Sequence, residues 1–340
     1  MNLLPMHHTK TLHDKIYNMD ALNFLKALPS DYAQCCVTSP PYYGLRDYGV
    51  GGQLGLEPTL QEYIDKLVMI FEELRRVLKP DGVFWLNLGD SFSSHKDCKG
   101  VAQTLAIGGK NEEAHIIPKG LSVTRNTRSL KTQGFKNKDL MLVPHRVAIA
   151  LQDAGWWVRM DNVWNKPNPM PESVTDRPTK AHEYIFLLSK SAQYYYDRDA
   201  IATPIKENTD ERYKRGRSDN HKNLEYKGQS LHTMHQARAN GDEYNYPSLA
   251  NKRSVWNIST KGYKGAHFAT FPPELPEICI KAGSKRGDVV IDPFMGAGTV
   301  GLVAKCLNRH YIGCEVNPEY IAMAEKRIAT DWEANQLPLF

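Results

Sequence analysis

Two short stretches carry residue types whose spacing suits a chemical task. The first, VVIDPFMGAGTVG (289–301), runs from an apolar strand through a glycine turn into a helix start. Gly296, Gly298 and Gly301 fit G-x-G-x-x-G, and Glu315 closes the next strand nineteen residues beyond Gly296. Glycines let a ligand approach the backbone, and a helix beginning at the turn aims free N–H groups at it. A carboxylate at the next strand end accepts hydrogen bonds from a ribose diol. The pattern fits a nicotinamide dinucleotide as well as S-adenosylmethionine, and a tight turn alone also accounts for it. Asp292-Pro293-Phe294 ahead of the glycines tilts the choice. A carboxylate there repels a pyrophosphate and attracts a sulfonium cofactor that carries an ammonium group.

The second stretch is Ser39-Pro40-Pro41-Tyr42, after the apolar run AQCCVT (33–38). Two prolines after a strand make a rigid turn, which is one sufficient reading. The same rigidity has a chemical use. It keeps carbonyl oxygens and the Ser39 hydroxyl aimed at one point, where a planar exocyclic amine donates hydrogen bonds. Held so, the amine lone pair is localised toward a methyl donor. The Tyr42 ring offers a flat face on which a base taken out of a nucleic-acid stack can lie.

Elements that alternate along the chain must position these stretches. Apolar periodicity predicts helices over Met19–Leu28, Thr59–Lys79, Pro144–Ala154, Pro273–Ala282, Thr299–Leu307 and Pro318–Thr330. Thr59 and Glu62 form a capping-box pattern, Pro80-Asp81-Gly82 stops that helix, and Gly155 stops the next. Strands are predicted over 33–38, 83–89, 156–165, 183–190, 288–292 and 310–315. The alternation implies an α/β fold with a doubly wound, mixed but mostly parallel sheet.

The 340 residues are 41% apolar and 24% charged, enough to bury a core, so wholesale disorder is excluded. No apolar run reaches membrane-spanning length and no secretory signal is visible, so a cytoplasmic location is expected. The net charge of +5 is unevenly placed. Residues 91–140 hold nine Lys/Arg against four Asp/Glu, and residues 191–265 hold thirteen against nine. Both segments are rich in Gly, Asn, Ser, Thr and His. They are either solvated insertions or surfaces that contact phosphates and read bases. The expected organisation is a core over 1–90, 141–190 and 256–340, a basic insertion at 91–140 and a target-recognition region at 191–255. Cys35, Cys36, Cys98, Cys279, Cys306 and Cys314 contain no CxxC pair and read as free thiols, mostly buried. His145, His182 and His267 lack ligand spacing, and no metal is expected.

Taken together, SPPY (39–42) and DPFMGAGT (292–299) resemble the motif pair of the DNA amino-methyltransferases that use S-adenosylmethionine. With the tetrapeptide first and the cofactor loop last, the order resembles the β-type arrangement. LKPDGVFWLNLGDSF (78–92), VWNKPNPMP (163–171), HEYIFLLSK (182–190) and AHFATFPPEL (266–275) extend the likeness; segments 91–140 and 191–255 lie outside it. The resemblance implies a Rossmann-like methyltransferase fold and a target base flipped out of duplex DNA. It implies that Ser39, Pro40, Pro41 and Tyr42 carry the transfer. Asp20, Phe271, Pro272, Asp292, Pro293, Phe294, Gly296, Gly298, Thr299, Glu315 and Asn317 are expected at the cofactor, although the usual Gly-Asp is Met19-Asp20 here. Trp164 and Lys166 are expected near the base or its phosphate, and Lys214, Arg215 and Arg217 on DNA. Ser39 in the first tetrapeptide position leans toward cytosine N4; Asp or Asn there is the more frequent adenine N6 version.

Such enzymes serve restriction pairs, phages or solitary systems, as monomers or homodimers. A cytosine C5 enzyme is disfavoured because no cysteine follows a proline. A nicotinamide oxidoreductase leaves SPPY unexplained, and a non-catalytic DNA-binding protein leaves the intact motif pair unexplained.

Overall fold

The computed structural model describes residues 11–44, 53–93, 135–205, 249–260 and 271–334. The chain divides into two compact units, one of residues 1–196 and 254–340, the other of residues 197–253. In chain order the larger unit holds β1 (Lys15–Asn18), α1 (Ala21–Ala27), β2 (Ala33–Thr38), α2 (Leu60–Val77), β3 (Leu78–Leu88), α3 (Val143–Asp153), β4 (Trp157–Asn165) and β5 (His182–Ser189). The described part of the smaller unit is a 3-10 turn, Asp199–Ile201, and an antiparallel pair, β6 (Thr203–Pro204) with β7 (Leu249–Ala250). The larger unit resumes with β8 (Val255–Asn257), α4 (Glu274–Gly283), β9 (Val289–Asp292), α5 (Thr299–Cys306), β10 (His310–Glu315) and α6 (Pro318–Ala334).

Eight strands form one sheet in the order β1-β10-β9-β2-β3-β5-β4-β8. The five strands from β1 to β3 are parallel, and β5 runs antiparallel to both β3 and β4. The sheet is thus mixed, mostly parallel and covered on both faces. All six residues of β2 are buried, as a central strand of such a sheet requires. Cys36 joins the core under α1, α2 and α3, where Phe71 and Phe84 lie 4.7 Å apart and Phe84 and Trp156 5.3 Å apart. Its neighbour Cys35 points to the other face, toward α4. Adjacent strand residues alternate faces, so the paired cysteines pack two different layers. Cys279 and Cys314 are buried as well, while Cys98 lies outside the described residues.

Local chemistry explains most boundaries. Thr59 caps α2 by accepting from the Glu62 N–H at 3.1 Å, and Asp20 caps α1 through the Asn23 N–H at 3.0 Å. Gly155 turns the chain after α3 at φ +90. Helix α2 ends at Val77, two residues before the predicted end, because Leu78 already pairs with Ala33. Pro80-Asp81-Gly82 is therefore a bulge within β3: the register jumps from Leu78 to Val83, and Gln34 reaches the Asp81 carbonyl at 3.4 Å. Strands β1 and β8 carry no periodicity of their own and exist through pairing with β10 and β4. Among the described residues, no helix is long and apolar enough to cross a membrane.

Gly283 at the end of α4 is buried against the sheet. A Cβ there would stand 2.5 Å from Val83 Cγ2 and 2.9 Å from Cys35 Sγ. Gly283→Ala should lower stability by about 1–3 kcal/mol through overpacking, read from urea unfolding midpoints.

Candidate active site

A parallel sheet presents the C-terminal ends of its strands along one edge, and the crevice opens where the winding direction reverses. Here that point lies between β9 and β2, which pair through Cys35 with Val290 and Cys36 with Ile291. The pairing carries the ends of both sequence motifs to one place. The Thr38 hydroxyl, at the end of β2, donates to Asp292 Oδ1 at 2.5 Å, at the end of β9. A cavity of about 1020 Å³ opens beside them, and both Ser39 and Asp292 line it.

One wall is acidic and apolar together. Asp20, Asp292 and Glu315 stand there with Met19, Pro293, Phe294, Phe271 and Gly296. Asp292 is 2% exposed, and burial pushes its carboxyl up to about 7, against the opposing pull of the Thr38 hydroxyl and the Phe294 N–H. Burial also raises Glu315, while the N–H groups of Asn317 and Gly296, at 2.9 and 3.1 Å, pull it back. Asp20 holds the Asn23 backbone and side-chain amides. Among the described residues no guanidinium or ammonium group pairs with these three carboxyl groups, and such a set suits a cationic ligand with a diol better than a pyrophosphate. The residues present fit S-adenosylmethionine on that ground.

The glycines have mixed duties. Gly298 has φ +73, and a Cβ on it would meet Ala324 Cβ at 2.8 Å. At Gly301 a Cβ would meet Ile328 Cδ1 at 2.8 Å. Both let α5 lie close to α6, and Gly296 is the one of the three that lines the cavity. Thr299 lines it too, but its hydroxyl accepts from Arg327 at 2.9 Å. Asn317 and Pro272 do not line the cavity; Asn317 instead holds Glu315 by its N–H and the Glu319 N–H by its side chain.

A second wall is built on the tetrapeptide. Ser39, Pro40, Pro41 and Tyr42 all line the cavity. The Pro41 carbonyl is already engaged by the Tyr63 hydroxyl of α2 at 2.9 Å, which pins the loop. The Tyr42 hydroxyl donates to Glu183 Oε2 at 2.7 Å and lies 3.3 Å from both Ser39 Oγ and Asn87 Oδ1. Burial, then the Glu183 charge, pushes the Tyr42 phenol well above its ordinary range. Trp164 is 3% exposed, its indole N–H donates to the Ile258 carbonyl at 2.8 Å, and Lys166 Nζ lies 4.4 Å from its ring centre. Lys166 pairs with Glu183 and is thus directed into the cavity rather than free for a DNA phosphate. Glu183, Asn87 and Tyr63 escaped the sequence reading. For Asn87 and Glu183 the available signal was a polar residue near one end of an otherwise apolar strand; Tyr63 lies within α2 and offered none. Lys214, Arg215 and Arg217 lie outside the described residues, as does His267. His145 packs edge-on against Tyr184, and His182 contacts the Tyr184 hydroxyl.

This site and fold agree with three kinds of likeness. A family profile described as DNA methylase, of the N6/N4 type, matches residues 33–326. The Type II methyltransferase M.XycI of Xanthomonas campestris pv. cyanopsidis is 44% identical, over 92% of this chain and 87% of its own. M.Cfr9I of Citrobacter freundii, also a Type II methyltransferase, is 40% identical over the same shares. Among solved structures, the cytosine-N4-specific PvuII DNA methyltransferase aligns with a TM-score of 0.56 at 20% identity, covering 94% of this chain and 90% of that one. The M1.HpyAVI–SAM complex aligns with a TM-score of 0.50 at 18% identity, over 92% and 98%. The chain belongs to the S-adenosylmethionine-dependent DNA methylases that act on the exocyclic amines of cytosine or adenine.

The Asp292 carboxyl makes stability depend on pH. An unfolded aspartate titrates near ~3.9, so between that pH and about 7 the folded chain keeps a proton that the unfolded chain has lost. Stability of the ligand-free protein should therefore fall as pH rises through this window. Asp292→Asn keeps the acceptor oxygen for Thr38 and Phe294 and should gain on the wild type from pH 5 to pH 8. A stability difference that stays constant across urea unfolding at both pH values would count against the assignment.

Proposed function

We propose that this enzyme transfers a methyl group to the N4 amine of cytosine flipped out of duplex DNA, by direct in-line displacement. One observation carries the reading: Ser39 and Asp292, at the ends of adjacent strands, line the same cavity. The donor supplies an electrophilic methyl group when bound. Asp20, Asp292, Phe294, Gly296 and Glu315 are the residues that would hold it, with Asp292 favouring its cationic end and Glu315 its diol. Ser39 Oγ and the Pro40 carbonyl would receive the two amine hydrogens, since the Pro41 carbonyl is turned to Tyr63. A stacked base cannot reach this loop, so extrusion from the duplex accompanies binding, and the Tyr42 ring compensates part of the lost stacking. Ser39 is neutral and small, which favours cytosine, as the family pattern suggests. The M.XycI and M.Cfr9I relatives are Type II methyltransferases, and modification within a restriction pair is the biological role we infer.

Incubation with duplex DNA and the donor, followed by digestion and mass spectrometry, should yield N4-methylcytosine. N6-methyladenine instead would overturn the base assignment. Tyr42→Ala, which loses both the ring and the hydroxyl, should slow transfer by about 10³-fold or more, with donor affinity retained. Asp292→Ala should weaken donor binding by about 10–100-fold, read by calorimetry. Replacing Lys214, Arg215 and Arg217 together with Gln should reduce the slope of log affinity for DNA against log salt by about 2–3; an unchanged slope would mean that these charges are only solvated.

A further inference from the structure

Glu183 is left without a task by donor binding and base capture. It is the second residue of β5, its side chain is 15% exposed, and it lines the cavity beside the tetrapeptide. Oε2 accepts from the Tyr42 hydroxyl at 2.7 Å and from Asn87 Nδ2 at 3.1 Å, and Oε1 pairs with Lys166. Ser39 Oγ donates to the Tyr42 hydroxyl at 3.3 Å. The three groups thus make a directed chain, Ser39 to Tyr42 to Glu183. With its own proton spent on Tyr42, Ser39 Oγ offers only lone pairs to an amine entering beside it. Tyr42 remains a protonated link, because burial and the Glu183 charge oppose its ionisation.

We propose that this chain is the proton outlet of the transfer reaction, with Glu183 as its terminal acceptor. The proposal rests on the reading that Ser39 receives the target amine. As the amine nitrogen forms its bond to the methyl carbon, the carbon–sulfur pair leaves with sulfur and the nitrogen becomes positive. One of its protons then passes to Ser39 Oγ, the Ser39 proton to the Tyr42 oxygen, and the Tyr42 proton to Glu183 Oε2. The N–H electron pair stays on nitrogen, both hydroxyls are regenerated, and the net change is one proton moved to Glu183. Before any proton moves, the Glu183 charge already stabilises the positive charge growing on nitrogen, through two polarised hydroxyls. Glu183 then passes the proton to solvent, its ion pair with Lys166 is restored, and the site resets. Glu183 acts through Tyr42 and Ser39, so it is a positioning and proton-accepting residue that need not touch the base.

The test is single-turnover transfer of labelled methyl groups to unmethylated plasmid DNA by wild type, Glu183→Gln, Tyr42→Phe and the double variant. Glutamine retains an oxygen for Tyr42. Tyr42→Phe retains the stacking ring and the Lys166–Glu183 pair, so it decides the matter even where Glu183→Gln folds poorly. Each single change should slow transfer by about 10²-fold or more. The double variant should be no slower than the slower single one, with donor and DNA dissociation constants within about twofold of wild type. A solvent deuterium effect on wild-type transfer should vanish in Tyr42→Phe, and Glu183→Asp should recover part of the rate. Wild-type speed in Tyr42→Phe, or losses that multiply in the double variant, would overturn the outlet while leaving the transferase reading intact. A product of N6-methyladenine overturns only the base assignment, and the same rate comparison still judges the outlet. A wild type that methylates no DNA overturns both.

Discussion

The structure turns on a single cross-strand contact, the hydrogen bond from the Thr38 hydroxyl to Asp292 across 254 positions of chain. It is possible because β2 and β9 are parallel neighbours, so their C-terminal ends face the same way. Had β9 been added at the outer edge of β10, the glycine loop would have been carried away from the tetrapeptide, and neither motif could act on what the other held. Placing β9 beside β2 also sets the reversal of winding at that point, which is where an open α/β sheet leaves a crevice. Topology therefore decides the presence of a site, and the loops decide its chemistry.

The crevice places three carboxyl groups on one wall, and each is accommodated differently. Asp20 is used as a helix cap, Glu315 is held by two backbone N–H groups, and Asp292 is kept protonated up to about neutral pH by its burial. The first two arrangements satisfy the charge with fixed donors. At Asp292 the Thr38 hydroxyl and the Phe294 N–H also donate, but burial outweighs them, so a cation placed beside it would favour its ionised form. An active site that carries such a group gives up some stability in its empty state and recovers it on binding.

Much of this was legible from residue types. The mostly apolar run AQCCVT announced a short strand, and β2 has the predicted bounds. The capping pattern of Thr59 and Glu62 placed the start of α2. What stayed hidden depended on partners distant in sequence. The chain Leu78-Lys79-Pro80 reads locally as a helix end, yet pairing of Leu78 with Ala33 turns it into the start of a strand. Strand β1 is four residues long and has meaning only beside β10. Within the G-x-G-x-x-G pattern, spacing alone could not separate Gly296, which meets the cavity, from Gly298 and Gly301, which meet α6. Glu183 is the sharpest case: its neighbours Tyr42, Asn87 and Lys166 come from three other parts of the chain, and no local pattern joins them.

The tetrapeptide wall shows why a short motif needs so much scaffold. Prolines restrict the backbone of residues 40 and 41, but they do not say where the loop as a whole points. That is settled by Tyr63, which reaches from α2 to the Pro41 carbonyl, and by Glu183, which takes the Tyr42 hydroxyl from β5. The capped start of α2 and the antiparallel register of β5 on β3 thereby become determinants of where Ser39 sits. Held from two sides by the Tyr63 hydroxyl and the Glu183 carboxylate, the loop has little freedom of its own. A fixed loop is the condition that the proposed capture of an amine by Ser39 requires, because an acceptor helps the rate only where its position is set beforehand.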